Sequence, residues 1–598
     1  MTVTPPPTAR APGRGTDGTD VPAARAAAQA VDSTEMTAVT RKFLAKATLI
    51  TASLSVAGAL LGLVRDQTLA RLFGAGSETD AFLVAWTVPE FAATLLIEDG
   101  LAIALIPAFS FALVRRAQGA SGDPVRSLVA STLPRLSLGF VTVSALVIGA
   151  APYLVEALAP GLPDPRLATD CTRLTATCVL SFGLAGYCSA ALRAHRRYLA
   201  PATIYVAYNV GIIATMFLLG GRWGVRSAAA GVAVGGCLMV AAQLPSLWRH
   251  LRSHPSAVGG AGIEAPPKNL ALISTVLLFA LCRQSQVLIE RFLASPLPSG
   301  AISHLNYAQK VAQIPMTLSL MLCTVTFPVV AQALADGDTE RARARVERDL
   351  VLASCLVLVG AATVVACAPQ IIAILFQRGA FTAQDTVVTA GVMRVYALGL
   401  LGQTLVGVLI RSYFSAGRPT WYPTGAMAVG VGATCWIGEA TVTSWGVSGI
   451  AAANAVGITV TAALLLLGPP RGPKGRAGGR GLRGARRPEG PGTVAVPAPP
   501  MAPHGRAVRY GNPRGVPIRT RQVLSELSRP VLAAGVATAA GAFAASGPQS
   551  QVAGLAVGAV TVAAVFLVLG RALGAQGCTF AFRSVRTVTR RLRHGRSS

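Results

Sequence analysis

LLGLVRDQTLARLFGAGSETDAFLVAWTVPEFAATLLIEDGLAIALIP, residues 60–107, is apolar enough to lie in a bilayer, yet it carries Arg65, Asp66, Arg71, Asp80, Glu90, Glu98 and Asp99. A charge at the centre of a membrane helix costs roughly 2.5 to 3.5 kcal/mol on insertion scales, so charges kept there mark a cavity or a substrate path. Arg71, Glu98 and Asp99 fit equally well at helix ends, in the headgroup region. Arg65, Asp66 and Asp80 read as functional groups.

Outward from this stretch, the composition is that of an integral membrane protein. Of 598 residues, 52% are hydrophobic and only 13% are charged, and the mean hydropathy is +0.54. A soluble domain carries about 25% charged residues. The net charge of +28 does not indicate nucleic acid, because the basic residues fall in the tails and in alternate loops, as membrane topology requires. Ten cysteines are scattered singly, several of them inside apolar runs, such as Cys178, Cys188, Cys237 and Cys323. Without a CxxC pair or a Cys/His cluster, neither a metal site nor a disulfide framework is expected. No GxSxG, Walker loop, HExxH or dinucleotide-binding turn occurs, so no enzyme, catalytic residue or cofactor is expected either.

A spanning helix needs about 20 mostly apolar residues. Windows of that kind lie at 43–64, 79–113, 127–158, 168–192, 198–219, 226–248, 268–294, 302–334, 349–376, 385–415, 419–442, 446–468, 530–546 and 552–573. They predict an all-α, polytopic membrane protein of about fourteen transmembrane helices. The second and eighth windows are too long for one straight span and contain Pro89, Pro107, Pro315 and Pro328. Proline removes an intrahelical hydrogen bond, so both spans should be bent or broken. Arg115, Arg116 and Arg126, then Arg193, Arg196 and Arg197, then Arg249, Arg252 and Lys268, and finally Arg341, Arg343, Arg345 and Arg348 mark alternate loops. The intervening loops 295–299, 443–445 and 547–551 carry no charge. The positive-inside rule therefore places both termini in the cytoplasm.

The segments group into an N-terminal tail (1–42), a six-span half (43–248), a cytoplasmic linker (249–267), a second six-span half (268–468), a basic Pro/Gly-rich linker (469–529), a C-terminal pair of spans (530–573) and a basic cytoplasmic tail (574–598). The tail at the N-terminus and the segment 469–529 lack the apolar residues to build a core and are expected to be disordered. The Arg-rich linker could also be drawn to anionic lipid, at about 1 kcal/mol per Arg near the surface. Six spans per half give the halves the same orientation, as parallel repeats about an axis along the membrane normal. Such repeats form transporters that expose a central site to each side in turn. IPAFSFAL (106–113) beside FPVVAQAL (327–334) is a faint echo of the repeat. Arg283, Glu290, Arg291 and Arg394 are further charges at membrane depth. Arg283 and Glu290, seven residues apart, fall on one face of a helix and should both reach the cavity.

GLVRDQTLARLFGAGSETDAFLVAW (62–86), LNYAQKVAQIP (305–315), LFQRGAFTAQDT (375–386) and RSYFSAGRPTWYP (411–423) together resemble the MurJ/MviN family of lipid II flippases in the MOP exporter superfamily. The resemblance implies two six-helix lobes around a cationic cavity, an extra C-terminal helix pair, and residence in a bacterial plasma membrane. It implies as cargo a polyprenyl-pyrophosphate-linked glycan, taken from the cytoplasmic leaflet while its tail stays among membrane lipids. Carried over residue by residue, Arg65, Asp66 and Asp80 match cavity residues of the family, and Lys310 stands where its YAxR motif has arginine. Ala59, Ala93 and Thr94 stand where many members have further arginines, which leaves open a related exporter of another polyprenyl-linked glycan or of an amphipathic metabolite. A third reading is a membrane scaffold whose basic linker recruits cell-wall synthesis proteins.

Overall fold

The computed structural model describes residues 50–468 and 518–575, except 99, 119–122, 253–269, 325–329, 331, 334–335, 337 and 415–419. The expected N-terminal tail, most of both linkers and the tail beyond 575 lie outside these residues, as does most of the segment 327–334 proposed as a repeat echo. The described residues are almost wholly helical and contain no strand.

In chain order the helices are α1 (50–73), α2 (Ser77–Ala85), α3 (Thr87–Ala92), α4 (Gly100–Ala117), α5 (Pro124–Leu158), α6 (Pro165–Ala176), α7 (Cys178–Ala194), α8 (Leu199–Trp223), α9 (Arg226–Arg252), α10 (Leu270–Ala294), α11 (Ala301–Ala312), α12 (Ile314–Thr324), α13 (Thr339–Ala366), α14 (Ala368–Phe376), α15 (Ala383–Leu398), α16 (Leu400–Phe414), α17 (Tyr422–Leu467), α18 (Thr520–Ser546) and α19 (Gln551–Ala572). Among the described residues, nine helices are long and apolar enough to cross a membrane, or ten if α15 and α16, bent by 44°, form one span. The expected number of fourteen comes from the sequence windows and is not fixed by this count, which leaves out α1 and α10.

The second span is interrupted twice, at Trp86 and by a π-helical turn at Ala93–Glu98. Pro89 sits in the first turn of α3, where a missing N–H leaves no bond unmade. Pro315 likewise follows the break between α11 and α12, and Pro369 the break between α13 and α14. α17, 46 residues long, would reach about 69 Å if straight, more than twice a bilayer core. It is a hairpin: Gly430 lies against Thr461, Gly457 against Thr434 and Gly449 against Thr441. The chain doubles back at Gly446, whose φ of 53° favours glycine.

Local caps set where helices begin. Asp123 accepts from the amides of Val125 and Arg126 at the start of α5, and Thr382 with Asp385 forms a capping box on α15. α8 packs along α9, α10 against the α17 hairpin, and α18 against both α19 and α13. The two halves meet where α10 and α11 contact α2, α3, α4 and α5. The largest buried cluster joins them, with Leu83, Trp86, Val155 and Phe182 from one half and Leu293, Leu305, Tyr307 and Phe376 from the other.

Candidate functional site

Trp86, at the break between α2 and α3, is where the charged residues converge. The Arg65 guanidinium lies 4.4 Å from its ring centroid and the Lys310 ammonium 5.5 Å. Both lie within the range where an aromatic face attracts a cation. Asp66 stands between them, accepting from Arg65 Nε at 3.0 Å and Nη2 at 2.8 Å, with Lys310 Nζ 3.4 Å from its other oxygen. Arg65 Nη1 donates to Asn209 Oδ1 at 3.2 Å, and the Asn209 amide in turn donates to the Gly58 and Tyr205 carbonyls. The arginine fork is thereby fixed in orientation from α8. The Lys310 side chain is 28% exposed against 13% for Arg65, so its ammonium keeps more access to a ligand.

A second ion pair crosses the halves one turn further along. Arg291 of α10 donates to Glu90 Oε2 at 2.9 Å and to Thr87 Oγ1, both on α3. Gln284, seven residues before Arg291 on α10, directs its amide at the Glu90 carbonyl at 3.5 Å. Residues 284 and 291 are therefore the positions of α10 that reach α3. Arg283 and Glu290, expected to share the cavity, each stand one residue before this pair, which on a helix is a rotation of about 100°. Arg283 is exposed, without an ion-pair partner among the described residues. Glu290 is buried and accepts from Asn454 on α17.

Asp80 also departs from the expectation. It is buried, and its carboxylate accepts from the Gly300 amide at 2.6 Å, the Ser303 amide at 2.8 Å and the Ser303 hydroxyl at 2.5 Å. It thus caps the start of α11 across the halves, where the free amides of a helix N-terminus favour an anion. Around it the loops close together. Ala380 N donates to the Arg71 carbonyl at 2.9 Å, Gly161 N donates to Ser295 Oγ at 3.3 Å, and Gly300 abuts Ala75.

Among the remaining charges, Arg71 and Arg394 are exposed, the latter donating to the Val365 carbonyl at 3.2 Å, and Glu98 accepts from the Tyr205 hydroxyl at 3.0 Å. Ala93 and Thr94 fall in the π-helical turn and supply no cation. Trp86, Asn209 and the Arg291–Glu90 pair were not among the expected site residues. An asparagine amid the apolar residues of α8 was the one local signal for Asn209. A separate cavity of about 590 Å³ is lined by Leu288, Phe292, Trp436 and Glu439 among others; nearly all apolar and without a cation, it suits hydrocarbon rather than an anion.

Two cations from opposite halves, held by one carboxylate over one indole, can grip a polyvalent anion. A buried charge is tolerated only when paired, so such a ligand would replace Asp66 as their partner. A fixed arginine fork suits phosphate oxygens, and a lysine adds a mobile point charge.

The profile of the family described as Lipid II flippase MurJ matches residues 69–475. A lipid II flippase MurJ of Burkholderia cenocepacia is 27% identical over 385 residues, covering 62% of this chain and 73% of that protein. A structure of lipid II flippase MurJ in an inward closed conformation superposes with a TM-score of 0.64 at 17% identity, over 87% of this chain and 98% of that one. An inward-facing multidrug resistance MATE family transporter of the MOP superfamily gives a TM-score of 0.55 at 14% identity, over 70% and 96%. These neighbours share the fold, and the profile covers well over half of the sequence: the chain is a multi-pass membrane protein that belongs to the lipid II flippase MurJ family.

Proposed function

We propose that this protein moves lipid II, the polyprenyl-diphosphate-linked precursor of peptidoglycan, across a bacterial plasma membrane by exposing the site between its halves to each side in turn. The observation that carries this reading is the meeting of Arg65 and Lys310, one from each half, over Trp86. A diphosphate needs cations in a low-dielectric setting, and its polyprenyl tail must remain in hydrocarbon while the polar headgroup crosses. A seam between two halves, at 43–248 and 268–468, offers that geometry. By loop charge, the turns at 74–76, 295–300 and 377–382 face outside and both termini face the cytoplasm. The contacts among those turns correspond to a state shut on the outside, with the site waiting for cargo from within.

The test is to deplete a bacterium of its own lipid II flippase, express this chain and measure lipid II exposed on the outer leaflet. Restored exposure is expected. Correct insertion without restoration would reject lipid II as cargo in favour of another polyprenyl-linked glycan or an amphipathic metabolite. In a rescuing chain, Arg65→Ala removes a charge-assisted contact of roughly 1.5 to 3 kcal/mol, so exposure should fall at least tenfold. Undiminished rescue would remove Arg65 from the binding role.

A further inference from the structure

Among the described residues, both ion pairs that cross the halves run in the same sense. Asp66 and Glu90 belong to the N-terminal half, and their cations Lys310 and Arg291 to the C-terminal half. The two pairs are neighbours: Lys310 lies over Trp86, and Arg291 donates to Thr87, the next residue. The partners of the second pair differ in access: the Arg291 side chain is 5% exposed and the Glu90 side chain that holds it 28%. The carboxylate therefore borders the open side of the site, and the arginine is reached by displacing it. Arg291 has a further anchor in the Thr87 hydroxyl, so it need not move far when Glu90 withdraws.

From this geometry we infer that Arg291 is a further ligand of the cargo diphosphate, masked in the present state by Glu90, and that the exchange of Glu90 for phosphate loosens the halves. The inference rests on the flippase reading above. In water-poor surroundings a guanidinium keeps an anionic partner, so a diphosphate arriving beside Lys310 competes with Glu90 for Arg291 as it competes with Asp66 for Lys310. Each exchange converts a bond between the halves into a bond to cargo. The site then supplies three cations, Arg65, Lys310 and Arg291, although Ala93 and Thr94 contribute none.

The experiment compares the full-length protein with Glu90→Gln, Arg291→Gln and Arg291→Lys variants in lipid nanodiscs. Binding of undecaprenyl diphosphate and of lipid II is read by native mass spectrometry, and thermal melting monitors folding. Arg291→Gln should weaken both ligands about tenfold or more, while Arg291→Lys stays within about threefold of the parent. Glu90→Gln, which removes the competing carboxylate, should tighten binding about tenfold and slow lipid II flipping in proteoliposomes. Opposite effects of the two glutamine variants are a signature that a merely structural ion pair would not give. If both variants weaken binding alike, or both leave it within twofold while melting normally, the inference is overturned. A parent protein that binds neither ligand would instead overturn the flippase reading, and the inference with it.

Discussion

Asp80 shows how one residue type can be read two ways. A carboxylate beside a membrane span suggested a cavity wall, yet its oxygens take three hydrogen bonds from Gly300 and Ser303. Asp80→Asn keeps the shape but turns an amide N–H toward those donors. Leaving buried donors unmatched should cost roughly 1 to 3 kcal/mol and lower the melting temperature, while undecaprenyl diphosphate binding by the folded fraction stays close to that of the parent. Loss of binding at unchanged melting would return Asp80 to the cargo site. Arg65 and Asp66 were legible as charges in need of a partner because charge inside an apolar window is conspicuous. Trp86 was not, since an aromatic residue in an apolar run has an ordinary explanation, and Arg291 was legible as a charge at membrane depth but not as the partner of Glu90.

At the scale of elements, breaks lie beside proline at 89, 315 and 369, whereas Pro107 sits inside the unbroken α4. The π-helical turn and the break at Thr177 had no comparable signal. The turn before α11 depends on Gly300, with φ of 97°, where an added Cβ would lie 2.7 Å from the Ala75 carbonyl oxygen. An L side chain there costs about 1 to 2 kcal/mol from backbone strain alone, and the clash adds to it. Gly300→Ala should therefore lower the melting temperature clearly. Gly391→Ala, on α15 with nothing within 4 Å of the added methyl, should instead be neutral or stabilising by about 0.5 to 1 kcal/mol. Equal melting of the two variants would remove the close approach of Gly300 and Ala75 from the account.

For the whole molecule, alternating access requires the end closed by Arg71, Ala380, Gly161 and Ser295 to open. With the exposed Cys237 and Cys435 replaced by serine, an Arg71→Cys, Ala380→Cys variant bridged by a short bis(methanethiosulfonate) cross-linker should lose lipid II flipping and regain it when the disulfides are reduced. Flipping that persists in the bridged protein would show that this end need not part. Membrane residence, the all-helical class and the charges worth explaining were legible in the sequence alone, because hydropathy over about 20 residues and the cost of a buried charge are local properties. Which charges meet was decided only by tertiary structure. Asp80 finds Gly300 across 220 residues and Arg291 finds Glu90 across 201, and a single-residue step along α10 separates Arg291, which meets Glu90, from Glu290, which meets Asn454. Such pairings depend on how helices pack and in which register, and no local window of sequence contains that information.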